Sequence, residues 1–345
     1  MVPASDHPVA PPSPQRAIGC LLGGAVGDAL GAPVEFLSLA AIRARFGPEG
    51  IRDFVPAYGV LGAITDDTQM TLFTAEGLLQ ALRRGRERGL WHPPTMVYHA
   101  YLRWLETQGA TPPYPYQEAR NGHLLTIRTL HASRAPGNTC LAALRSGTMG
   151  TPEAPLNDSK GCGGVMRAAP AGLIGVADPF ALGCDVAAIT HGHPSGYLAA
   201  GVLAALVAAL AAGTTLREAL HSARGALIGW PQHAECLAAV DAAVHLARVA
   251  PATAETVERL GAGWVAEEAL AIALFAALAT EDFEAGVVLA VNHGGDSDST
   301  GAIAGNILGA LLGPEAIPSR WLDALELRDE IASLAHALAT EALAA

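Results

Sequence analysis

The chain has 345 residues, 51% of them apolar and 5% aromatic, with a formal net charge of −12. Such a balance supplies a large core but no basic stripe for a phosphate backbone, so a nucleic-acid partner is not expected. Abundant alanine and few β-branched runs favour closely packed helices over sheets. Cys20, Cys140, Cys162, Cys184 and Cys236 are scattered and odd in number, with no C-x-x-C pair. That pattern belongs to a reduced, cytoplasmic protein and not to a disulfide framework.

Residues 1–15 are Pro-rich and polar, without the basic and apolar blocks of a signal peptide, and read as a flexible tail ahead of one domain, 16–345. In 16–31, Ala17, Ile18, Leu21, Leu22, Ala25, Val26, Ala29 and Leu30 recur at helical spacing, and Gly31 with Pro33 ends the run. Gly19, Gly23, Gly24, Gly27 and Gly31 crowd this helix. Each costs roughly 1 kcal/mol against alanine, a loss usually offset by close approach of another backbone or a ligand. Asp28 inside it reads equally as a buried acid capping a neighbouring backbone or as a site residue. Glu35, just past the break, reads on composition alone as an ordinary loop acid.

A short helix is expected at 37–46 and a Gly/Pro loop at 47–62. Ile64-Thr65-Asp66-Asp67-Thr68-Gln69-Met70 then opens a helix to about residue 84. Two aspartates and two threonines fill its first turn, and taken alone they serve as caps in the favourable field of the helix N-terminus. An amphipathic helix follows at 93–109, a proline-rich loop at 110–122, and short helices at 124–133 and 139–147. The loop 148–164 leads into Asn157-Asp-Ser-Lys-Gly-Cys-Gly-Gly-Val-Met-Arg167, whose glycines let a backbone approach a ligand. It follows neither the Walker nor the Rossmann pattern. Helix 179–190 ends at His191-Gly-His-Pro194, where histidine suits a C-terminal cap. The uncharged run 195–213 approaches the ~20 residues of a transmembrane helix. Its Ala/Gly content and missing basic flanks assign it to the centre of a bundle, so no membrane is expected. Further helices fall at 216–228, 234–249, 253–260, 265–280, 283–292 and 331–344, with no strand, linker or short repeat.

A second acid-rich helix start lies in Val291–Gly313, where Asp296, Ser297, Asp298, Ser299 and Thr300 precede a charge-free helical run. Capping needs one such residue, and five oxygen-bearing side chains suit a hard cation. Pooled with Thr65, Asp66, Asp67 and Glu35, every donor is oxygen and the His/Cys set of zinc is absent. Four aspartates suffice for two Mg²⁺ or Mn²⁺ ions, which orient and polarise a substrate oxygen or a water. A carboxyl outside the metal shell, such as Glu35, then serves as general acid/base.

These residues also carry a family resemblance. Gly27-Asp-Ala-Leu-Gly-Ala-Pro-Val-Glu35, Thr65-Asp-Asp-Thr68, Gly161-Cys-Gly-Gly-Val-Met-Arg-Ala-Ala-Pro170, Thr190-His191, Gly261-Ala-Gly-Trp-Val-Ala-Glu-Glu-Ala269 and Gly295-Asp-Ser-Asp-Ser-Thr-Gly301 occur in order. From about residue 16 to 312 the chain resembles the ADP-ribosylglycohydrolases of the dinitrogenase-reductase-activating type. The resemblance implies an all-α, single compact multi-helix domain with a binuclear Mg²⁺ or Mn²⁺ cleft. It implies Thr65, Asp66 and Asp67 as metal ligands from one side and Asp296, Asp298 and Ser299 from the other. Glu35 matches a mobile catalytic glutamate, with Asp298 as its catalytic partner. Ser159, Gly161, Cys162, Gly163, Gly164 and Met166 match the loop that cradles ADP-ribose, and His191 a histidine lining that pocket. Cys162 stands where many relatives have asparagine, and Lys160 where an aromatic can occur. The implied reaction is hydrolysis of the glycosidic bond at ribose C1″ of an ADP-ribosylated protein or small molecule. The alternatives are metal-dependent hydrolysis of another nucleotide-sugar or of an ADP-ribose phosphate ester, and non-catalytic ADP-ribose binding. Cys162 acting as a nucleophile beside His191 ranks below a water positioned by the cations.

Overall fold

The computed structural model describes residues 11–113 and 120–344. The described residues form α-helices joined by loops and short 3₁₀ turns, with no strand and two isolated bridges, Ala57 to Val60 and Gly161 to Val265. The helices are α1 (Pro14–Gly31), α2 (Leu39–Phe46), α3 (Asp66–Arg88), α4 (Pro93–Thr107), α5 (Asn138–Arg145), α6 (Pro179–Ala188), α7 (Pro194–Ala211), α8 (Leu216–Ile228), α9 (Ala234–Val249), α10 (Ala254–Val257), α11 (Ala266–Ala279), α12 (Phe283–Val291), α13 (Ser297–Leu312), α14 (Ser319–Ala324) and α15 (Arg328–Leu343). Of the expected tail, 1–10 lie outside the described residues, and Pro14 and Gln15 already belong to α1. Part of the expected 110–122 loop, 114–119, also lies outside them.

The axis of the fold is the antiparallel pair α1 and α13. Gly19, Gly23 and Gly27 face Gly309, Gly305 and Gly301, and a methyl group added at Gly27 or Gly305 would overlap the opposite backbone carbonyl. With no Cβ between them the two backbones touch, which accounts for the glycine content of α1 despite its helix cost. Two polar pegs fix the pair. Buried Asn306 donates to the Cys20 carbonyl at 2.8 Å, and the Arg16 guanidinium donates to the carbonyls of Ala310 and Leu311 at 3.0 and 2.7 Å. The last two need a donor because a helix end leaves its carbonyls unpaired.

Around this axis pack α3, α7, α11, α12 and α15, with α4, α6, α8 and α9 in an outer layer. α7, the uncharged helix, is long and apolar enough to cross a membrane, yet most of it is buried against α6, α8, α11 and α13. The expected helix at 124–133 is instead two 3₁₀ turns, Leu124–Thr126 and Arg128–Leu130, split by Ile127 in an extended conformation. β-Branched Thr126, Ile127 and Thr129 and a segment too short to nucleate a helix account for this. In addition, the Glu76 carboxylate takes the Leu124 amide at 2.9 Å. α14 was not expected, and α15 begins three residues before the expected 331.

Candidate active site

The C-terminal end of α1 brings the two acid-rich helix starts together. Gly31 lies against Ser297 and Asp298, where a side chain would collide with the backbone, so α13 starts beside the last turn of α1. One turn earlier, fully buried Asp28 reaches the start of α3. Its Oδ2 accepts the amides of Thr65 (2.9 Å) and Thr68 (3.1 Å), and also the Thr68 hydroxyl. Asp28 therefore satisfies orphan N–H groups that a helix start leaves unpaired.

The α3 turn presents three expected ligands. Thr65 accepts the Asp67 amide through Oγ1 at 3.3 Å. Asp66 Oδ2 accepts the Gly137 amide at 3.2 Å. Asp67 is 3% exposed, and its Oδ1 has no hydrogen-bond partner. In the α13 turn, Asp296 is the N-cap, with Oδ1 3.4 Å from the Ser299 amide, and Asp298 Oδ1 accepts the same amide at 3.0 Å. Thr300 is turned away and bonds the Ala290 carbonyl and His293.

Glu35 sits on the turn after α1, its amide held by the Gly31 carbonyl at 3.0 Å. Its carboxyl approaches Asp296 and Asp298 so that one oxygen from each of the three lies within 4.8 Å of the others. Burial and then the charges of Asp298, Asp296 and Asp66 push Glu35 up to about 10, and its protonated carboxyl hydrogen-bonds Asp298. Burial and then Asp298 raise Asp28 to about 7 and drive Asp66, Asp67 and Asp296 well above the usual carboxylate range. Among the described residues no lysine or arginine forms an ion pair with any of these carboxyls; Arg134, which faces the cluster, is engaged by Glu326. Buried like charges with no cation, plus bare oxygens on Asp67 and Glu35, are what a cation site looks like in its donors alone. The residues present therefore fit divalent metal.

The glycine loop closes one side. The Cys162 amide bonds the Trp264 carbonyl at 3.2 Å, and the Ala266 amide bonds the Lys160 carbonyl at 2.8 Å. This pairing brings Cys162 and Met166 to the α13 turn, with the Cys162 thiol donating to Asp296 Oδ2 at 2.7 Å. His191 lies behind the loop, against Gly161 and Gly163. Arg167 donates to Thr190 Oγ1 at 2.6 Å, and that hydroxyl meets His191 Nδ1 at 2.8 Å. Burial, then Arg167, lowers His191 to about 3, so its imidazole is neutral. Ser159 is turned to Thr139 at 3.2 Å, and Lys160 is drawn outward to Glu235 at 2.6 Å and to Glu267.

Of three rim residues, Phe36 and Tyr58 carry no sequence signal beyond their aromatic side chains, and Trp264 stands inside the Gly261–Ala269 motif. Phe36, 69% exposed with φ 67°, stacks on exposed Trp264 at 5.3 Å between ring centroids. An aromatic in the left-handed region is a true outlier, of the kind that gathers at working sites. Exposed Tyr58 carries the Arg134 guanidinium over its ring at 5.8 Å. A separate groove of about 730 Å³ between α3, α4 and α15 lies away from the cluster, and Arg103 and Glu76 in its lining pair with each other.

Residues 10–344 match the family profile described as ADP-ribosylglycohydrolase. Over 329 residues the sequence is 30% identical to the ADP-ribosyl-[dinitrogen reductase] glycohydrolase of Rhodospirillum rubrum, spanning 91% of this chain and 92% of that one. It is 26% identical over 341 residues to the ADP-ribosylarginine hydrolase Tri1 of Serratia proteamaculans, spanning 94% and 78%. A solved structure described as an ADP-ribosylglycohydrolase-related protein complex aligns with a TM-score of 0.69 at 34% identity, covering 95% of this chain and 98% of that one.

Proposed function

The chain belongs to the ADP-ribosylglycohydrolase family, and from that premise we propose that it releases ADP-ribose by cation-dependent hydrolysis of the glycosidic bond at ribose C1″ of an ADP-ribosylated substrate. The observation that carries this reading is the convergence of Glu35, Asp296 and Asp298 within 4.8 Å, at the meeting of two acid-rich helix starts. Thr65, Asp66 and Asp67 would hold cations from the α3 side, and Asp296, Asp298 and Ser299 from the α13 side. Two bound divalent ions, Mg²⁺ or Mn²⁺ by the hardness of these oxygens, would supply charge that orients the ribose hydroxyls and polarises a water.

The remaining work falls to the chain itself. Glu35, on the turn after α1 and beside Asp296 and Asp298, would be the group that gives and takes the proton. Asp298, with an oxygen within 4.8 Å of one on Glu35, would act as its catalytic partner. The loop from Ser159 to Met166 would cradle ADP-ribose, with Gly161, Cys162, Gly163 and Gly164 keeping its backbone close. Neutral His191 supports the loop from behind without adding charge.

We assign an arginine-type linkage to the leaving group. A guanidinium is attracted to aromatic faces and to carboxylates. The mouth offers the Phe36–Trp264 stack and Tyr58 beside the acids. The name of one relative, an ADP-ribosylarginine hydrolase, agrees with this choice.

The test is release of ADP-ribose from arginine-linked and serine-linked substrates with Mg²⁺ and with Mn²⁺. Glu35→Gln is expected to cut turnover by about 10²–10⁴-fold, the range for a general acid/base, with ADP-ribose affinity little changed. Unchanged turnover in that variant would remove Glu35 from the chemistry. Release from the serine-linked substrate alone would overturn the linkage assignment.

A further inference from the structure

The cation reading counts oxygen donors, yet two sulfur atoms stand among them. Cys162 Sγ donates to Asp296 Oδ2 at 2.7 Å and lies 3.7 Å from Ser299 Oγ, and Met166 Sδ lies 3.8 Å from the same hydroxyl. Asp296 is thus common to two donor groups, with Glu35 and Asp298 on one side and Cys162 and Ser299 on the other. A second, independent feature points to a ligand here. Asp67, 3% exposed, keeps an Oδ1 with no partner and stands near enough to act electrostatically on the Cys162 thiol. Cys20, Cys140, Cys184 and Cys236 are buried, whereas Cys162 is half-buried, so it is the cysteine open to an ion in the cleft.

We propose that Cys162 is itself a cation ligand, and that it turns one position of the pair from magnesium toward thiophilic divalent ions such as Fe²⁺, Co²⁺ or Zn²⁺. The inference rests on the cation-dependent reading above and names the class of ion for part of that site. Mg²⁺ demands hard oxygen donors in a regular octahedron, while thiolate donors select softer first-row ions. On binding, the S–H bond breaks, its proton leaves to solvent and a sulfur–metal bond forms, with no change of oxidation state. The hydrogen bond to Asp296 already aims the thiol at a cation ligand, so binding replaces a proton between the two groups with an ion.

Titration of the cation-free, full-length protein with Co²⁺ and with Mg²⁺ tests this, followed by binding heat and by near-ultraviolet absorption. The expected result is a thiolate-to-cobalt charge-transfer band that saturates with the heat and is lost in Cys162→Ser. Co²⁺ affinity in that variant should fall by more than the about 10–100-fold that follows loss of a group merely supporting a ligand, while Mg²⁺ affinity stays the same. Cys162→Asn, which substitutes a hard carbonyl oxygen, should lose the band and keep Mg²⁺, with circular dichroism verifying the fold of both variants. Co²⁺ binding without the band, or a band that survives Cys162→Ser, overturns the inference and leaves the cation-dependent reading standing. No binding heat for Co²⁺, Mn²⁺ or Mg²⁺ overturns that reading itself.

Discussion

The two acid-rich turns do the same job by different means. At the start of α3 much of the capping is supplied from outside: Asp28 of α1 takes the Thr65 and Thr68 amides, while the helix's own N-cap, Thr65, takes that of Asp67. Asp67 thereby caps no amide: one oxygen accepts only the Thr65 hydroxyl, 3.4 Å away, and the other stays bare. At the start of α13 the capping comes from within, because Asp296 and Asp298 both accept the Ser299 amide while belonging to the carboxyl cluster. A helix start capped by a neighbour can give its own acids to a ligand, whereas one that caps itself must use the same acids twice.

Protons should have the largest effect, since they act on both turns at once. Asp28 and Glu35 are raised from 3.8 and 4.5 to about 7 and about 10. A group raised on folding binds more protons in the folded state, so its contribution is fully present below its ordinary value and is lost as pH rises through the raised one. Without cations, the melting temperature should therefore fall as pH climbs from about 4 through about 7 and on toward about 10. Mn²⁺ should flatten the slope by favouring the ionised carboxyls. Thermal melts across that range, with chelator and with Mn²⁺, decide the matter, and a rising apo curve would be the wrong sign.

Asp67→Asn comes next. Losing charge from a group with no capping duty should lower turnover by about 10²–10³-fold, several kcal/mol of lost charge stabilisation, with the melting temperature unchanged or raised. Asp28→Asn should do the reverse in kind. It removes one of the oxygens that hold the α3 start and should cost roughly 1–3 kcal/mol of stability, read from urea unfolding. Asp296→Ala should cost less stability than Asp28→Asn, about 0.5–2 kcal/mol for a lost cap, but together with a loss of turnover. Asp296→Asn keeps the cap and should separate the two. If Asp67→Asn destabilised the fold as much as Asp296→Ala, the contrast between the turns would be wrong.

Much of this was legible in the sequence because helix starts advertise themselves locally. The acid and hydroxyl pairs before apolar runs mark α3 and α13 within two residues of their observed starts, and helical spacing marks α1. The uncharged helix α7 read as a core helix because it lacks basic flanks, and it is mostly buried. What could not be read is which cap serves which helix. Asp28 and Thr65 are 37 residues apart, and Cys162 and Asp296 are 134 apart, and no local pattern records either contact. The 3₁₀ turns near Leu124 and the short α14 carry too little periodicity to call. The stack of Phe36 on Trp264 depends on one left-handed residue, which sequence does not mark when it is not glycine.

The glycine contact between α1 and α13 has one more consequence, which concerns register. Gly19, Gly23 and Gly27 repeat every fourth residue, as do Gly301, Gly305 and Gly309. Two smooth tracks with the same step fit together in more than one alignment. A slide by one step would move α13 about 6 Å along α1 and keep glycine facing glycine. It would also carry Asp296 and Asp298 away from Glu35 and dismantle the site. What forbids the slide is not the seam but its notches, the Asn306 amide on the Cys20 carbonyl and the Arg16 guanidinium on the last carbonyls of α13. These two side chains touch no acid of the cluster, yet they set the height at which the carboxyls meet.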